Sequence, residues 1–128
     1  TPKVGELASC AVDATRIYLC GFSWGGDTGW ALLARRPELY RGAVVLGARS
    51  SARTRGNALN VMRTRGVRVA FAIGSEDSDT RRTGIARTHQ AMVAARVPTR
   101  LDTYPGTHTL PTDPAVLTAL FAFVMAAP

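Results

Sequence analysis

With 128 residues, 46% of them apolar and 20% charged, the chain is long enough to bury one core and has the make-up of an ordered domain. That balance excludes a disordered segment, and the longest apolar stretch, 115–127, is too short to span a bilayer, so no membrane partner is expected. The formal charge of +7 rests on a basic set that is arginine at fifteen of its sixteen positions.

Taken in chain order, the sequence opens at Thr1 rather than methionine, which reads as a processed or truncated protein and leaves the compartment open. Cys10 and Cys20 are too few for a disulfide scaffold and lack the spacing of a zinc site. Cys20 is expected as a small buried hydrophobe, with a Cys10–Cys20 bridge as the alternative. Arg16 to Phe22 and Gly42 to Gly47 are near-continuous apolar runs and predict buried parallel strands. Between them Gly25 to Arg36 has helical spacing, with Trp30, Leu33 and Ala34 on one face and Pro37 as its stop.

Six arginines then fall between Arg49 and Arg68 with no acid among them. That stretch either meets an anionic partner or decorates a solvated helix and loop. It has neither an aromatic residue nor a glycine-rich loop, so nucleic acid is not expected. Asn57 to Arg65 is a weaker helical segment inside it. Val67 to Ile73 predicts a third strand ending at Gly74, and Arg100 to Tyr104 a fourth closed by Pro105-Gly106. Thr83 to Arg96 predicts the intervening helix, with Ile85, His89, Met92 and Val93 together. Asp113-Pro114 caps a closing helix whose stripe is Leu117, Leu120, Phe121 and Val124. The alternation predicts an α/β fold, a parallel sheet of about four strands alternating with helices, with sites beyond the carboxyl ends of the strands.

Gly21-Phe22-Ser23-Trp24-Gly25 matches G-x-S-x-G directly after a strand and at the start of a helix, where a tight turn pushes the serine to an exposed tip. Side chains at positions 21 and 25 are expected to collide there, so both are glycine. The free N–H of Trp24 at the helix start faces an oxyanion. A serine hydroxyl needs a base. His89 falls within a helical stripe and reads as structural, whereas His108 follows the fourth strand at the sheet edge where Ser23 must sit. The turn Gly74-Ser75-Glu76-Asp77-Ser78-Asp79 supplies the carboxylate that orients it; Asp77 is preferred to Asp79, which suits a helix start. Phe22 and Trp24 flank the nucleophile as substrate-wall or packing residues.

Val12 to Leu19, the elbow Gly21 to Gly26, Gly74 to Asp77 and Gly106 to His108 together resemble the α/β-hydrolase superfamily over nearly the whole chain. Within it the sequence is similar to esterase branches grouped around dienelactone hydrolases, phospholipase/carboxylesterases and depolymerase- or feruloyl-esterase-like proteins. The resemblance implies a serine esterase with its acid at Asp77 and no metal or cofactor. It also implies several strands before the elbow and a loop giving a second oxyanion N–H, so residues 1–128 are expected to be one domain truncated at its N-terminal side. The function implied is hydrolysis of small-molecule carboxylic esters. The alternatives are a serine peptidase or lactonase of the same fold, or a non-catalytic basic binding module. The strand from Arg16 to Phe22 is expected to lie at an open edge and to promote self-association.

Overall fold

The computed structural model describes residues 11–54 and 56–126. Two apolar runs, 42–46 and 68–74, become the centre of the sheet. Strand β2, Gly42–Leu46, is buried at every residue, and β3, Arg68–Gly74, at all but its first. Unbroken apolar runs of this kind suit strands covered on both faces. Strands β1, Tyr18–Phe22, and β4, Thr99–Tyr104, flank them in the order β1-β2-β3-β4, all parallel. The register pairs Phe22 with Leu46, Leu46 with Ala72 and Gly74 with Tyr104, which aligns the carboxyl ends of all four strands.

Helices α1, Trp24–Arg35, α2, Ala58–Arg65, and α3, Asp79–Ala94, pack on one face of the sheet. There Trp30, Leu33, Met62, Ile85 and Met92 bury against Ala43, Val45, Val69, Phe71 and Ile73. Helix α4, Pro114–Val124, covers the other face through Leu120 and Val124, against Val44, Leu46, Ala70 and Ala72. Successive strand residues therefore feed two separate cores, as the period of two requires.

Four expectations are corrected. Helix α3 starts at Asp79 rather than Thr83, because the Ser78 hydroxyl accepts from the N–H of Arg81 and caps a polar first turn that carries no apolar periodicity. Val93, expected in its stripe, is 56% exposed. In α4 it is Phe123, not Phe121, that packs inward, where Arg68 donates to its carbonyl at 2.6 Å and stacks over its ring at 4.3 Å. Cys20 is exposed, because it stands mid-strand on the edge strand β1, on the α4 side, while α4 lies chiefly over β2 and β3. Cys10, and with it the Cys10–Cys20 bridge, lies outside the described residues. Among the described residues no helix is long and apolar enough to cross a membrane.

Candidate active site

Ser23 stands between β1 and α1 at φ 59° and ψ −119°, a backbone that side-chain-bearing residues rarely adopt. The turn is held by its neighbour strand, since the Ser23 N–H donates to the Leu46 carbonyl at 2.8 Å. A Cβ on Gly21 would lie 2.2 Å from the Gly25 carbonyl, and one on Gly26 2.9 Å from the Ala48 Cβ. A Cβ on Gly25 meets nothing within 4 Å. Glycine is therefore demanded at 21 and 26, not at 25 as the motif suggests, because position 25 enters the crowding through its backbone and opens outward.

The same lacing continues across the sheet. Gly47 N–H donates to the Ala72 carbonyl, Ser75 N–H to Tyr104, and Glu76 N–H to Gly106, at 2.8 to 2.9 Å. Each strand end is thus tied to the next, and the loops bearing Ser23, Asp77 and His108 share one rigid edge. Gly74 allows the last step, since a Cβ there would lie 2.2 Å from the Thr107 carbonyl. The Tyr104 hydroxyl donates to the Thr109 carbonyl at 2.6 Å and pins the loop on the far side of His108. No sequence motif marks that bond; only the tertiary path of the loop brings the two groups together.

These ties place His108 Nε2 2.8 Å from Ser23 Oγ and His108 Nδ1 2.9 Å from Asp77 Oδ2. With a carboxylate as acceptor, Nδ1 carries the proton and Nε2 is left to accept from the serine. Asp77 is 5% exposed, while Glu76 is exposed and the Asp79 side chain is 92% exposed in an ion pair with Arg82. Burial alone would push the Asp77 carboxyl up. The His108 hydrogen bond, the Ser78 N–H and the Arg81 guanidinium outweigh it and hold it below the ordinary carboxylate value. His89 lies on α3 with its ring edge-on to Phe71, 6.2 Å between centroids, and burial lowers its pKa.

Phe22 stacks on the His108 ring, 4.9 Å between centroids and 27° between planes. It occupies the notch left by Gly47, where a Cβ would come 2.7 Å from the phenyl ring. Trp24 begins α1, so its N–H has no partner within the helix, and its side chain is 86% exposed. Among the described residues no cluster of His, Cys, Asp or Glu could hold a metal ion.

A parallel sheet with helices on both faces, and a serine on a strained strand-to-helix turn beside a histidine, define a protein of the α/β-hydrolase fold. Solved structures share that fold with the chain. A ferulic acid esterase matches with a TM-score of 0.72 at 15% identity, covering 94% of this chain and 55% of its own. The fluorophosphonate-binding serine hydrolase FphF of Staphylococcus aureus matches with a TM-score of 0.65 at 14% identity, covering 96% and 60%. Porphyromonas gingivalis dipeptidyl peptidase 4 matches with a TM-score of 0.66 at 21% identity, covering 93% and 20%. The chain therefore spans 60% or less of each of these proteins. No curated protein gives a significant match. The model of the dienelactone hydrolase family matches residues 2–113, and the chain belongs to that family.

Proposed function

We propose that this chain carries the nucleophile, base and acid of a serine hydrolase acting on small-molecule carboxylic esters. The observation that supports it is the hydrogen-bonded series from Ser23 through His108 to Asp77, 2.8 and 2.9 Å long, at the carboxyl edge of the sheet. Ser23 Oγ attacks the ester carbonyl while His108 Nε2 takes its proton, and Asp77 holds the imidazole in the required tautomer and balances its charge. The Trp24 N–H at the start of α1 donates to the developing oxyanion, a contribution whose loss costs about a hundred- to a thousand-fold in turnover. The proton passes to the departing alcohol, and water, activated by His108 in turn, releases the acyl group. Phe22 backs the imidazole, and the exposed Trp24 ring offers an apolar surface to the substrate.

The test is labelling of the full-length protein by a fluorophosphonate. Ser23 should be modified, and Ser23→Ala should remove the label. A folded protein that takes no label, yet binds nucleic acid with a steep loss of affinity on added salt, would make the chain a basic binding module instead. A panel of p-nitrophenyl esters, lactones and peptide anilides then assigns the scissile bond, with the esters expected to turn over fastest.

A further inference from the structure

The loop that follows β2 and helix α3, from Asp79 to Met92, line a second, open groove of about 950 Å³. Neither Ser23 nor His108 lines it. Arg49, Arg53 and Arg87 do, all three exposed, and among the described residues none of them has an ion-pair or hydrogen-bond partner. The one acid in the lining, Asp79, is engaged by Arg82. Ser50 also borders the groove, 3% exposed and at φ 53°, with its hydroxyl buried and unpartnered.

The loop is anchored by its backbone rather than by its arginines. Asp27 Oδ1 accepts from the Ser50 N–H and the Thr88 hydroxyl donates to the Ser50 carbonyl, each at 2.8 Å, while the Trp30 indole donates to the Ala52 carbonyl at 2.8 Å. Helix α3 lies directly on the loop, since a Cβ on Gly84 would stand 2.4 Å from the Arg49 carbonyl. Three guanidinium groups are thereby brought to one groove without any part in holding the fold. Like charges gathered this way repel unless an anion joins them, and the planar guanidinium fork matches oxyanions in two-point geometry. By contrast Arg65 and Arg68, from the same basic stretch, spend their donors on backbone carbonyls.

We propose that this groove binds a small ligand through an oxyanion group, phosphoryl or carboxylate, at a site separate from Ser23. Its volume lies within the range of small-molecule sites, about 300–1,000 Å³. Inorganic phosphate and succinate serve as probes, each titrated calorimetrically into the full-length protein at constant ionic strength set with chloride. At least one should bind saturably, with affinity about tenfold weaker in Arg49→Gln/Arg87→Gln and unchanged in Ser23→Ala, since loss of 1.4 kcal/mol is a factor of ten. Which probe binds identifies the anionic group. Arg53→Gln alone should also weaken binding, which keeps the test decisive if the double variant loses its native circular dichroism. Absence of binding by both probes, or affinity that the arginine variants leave unchanged, would overturn the proposal.

Discussion

At the scale of single residues, the site joins a serine on a strained backbone, Ser23, to a tightly held imidazole, His108. The backbone at Ser23 costs about 1–3 kcal/mol, which the surrounding lacing offsets. Ser23→Ala and His108→Ala should lower turnover of a p-nitrophenyl ester to the same floor, because the two groups act as one unit. Asp77→Asn should cost orders of magnitude through the wrong imidazole tautomer. Asp79→Asn and His89→Ala should be mild, and the reverse ranking would move the acid or the base. Phe22→Leu removes a ring stack worth about 0.5–1.5 kcal/mol, so turnover should fall by up to about tenfold while Phe22→Tyr restores it. Equal turnover in Phe22→Leu would leave the ring a packing group only.

His89 supplies a pH dependence at the same scale. Burial lowers its folded pKa below the unfolded value of about 6.5, so below that pH the unfolded chain binds a proton that the folded chain refuses. The stability this preserves is whole above pH of about 6.5 and is lost as pH falls through the lower folded value. Denaturant titrations between about pH 7 and 5 should show a decline that His89→Gln reduces. Parallel declines in both proteins would show that another group carries it. Asp77 acts in the same direction further into acid, because its folded pKa is also lowered.

At the scale of elements, the connections after the strands do as much as the strands themselves. Gly74 sits where β3 passes under the loop before His108, and a methyl group there would strike backbone that has no room to give. Gly74→Ala should therefore lower both stability and turnover, whereas Gly25→Ala, facing open space, should keep most of both. Thermal melts of the two variants decide between this account and the reading of the motif in which Gly25 is sterically required. Asp113 caps α4 by accepting from the Ala115 N–H at 2.9 Å, and Asp113→Ala should cost about 1 kcal/mol without touching the site.

At the scale of the whole molecule, β1 pairs with β2 on one side only among the described residues. Its Cys20 and, beside its end, Trp24 are exposed. We propose that the isolated 128-residue chain self-associates through this edge, which offers unpaired backbone groups next to apolar surface. Light scattering should show a concentration-dependent increase in mass that a lysine at Cys20 reduces. A monomer at every concentration would end that proposal.

Much of this protein was legible without coordinates, for identifiable reasons. Strands buried on both faces must be unbroken apolar runs, so β2 and β3 stood out, and their alternation with helices already required a parallel sheet. The G-x-S-x-G turn located Ser23 at a strand-to-helix junction because its geometry restricts which residues fit, and of the two histidines His108 was expected at the sheet edge where it stands beside Ser23. Other features depend on distances between segments remote in the chain. The polar first turn of α3, the seating of Phe22 in the notch at Gly47, the pin from Tyr104 to Thr109, and the glycine demands at 26 and 74 in place of 25 are of this kind. So is the convergence of Arg49, Arg53 and Arg87 on one groove. Local sequence determines which backbone a segment favours, but steric contact and hydrogen bonding between distant segments arise only when the sheet sets their strand ends side by side.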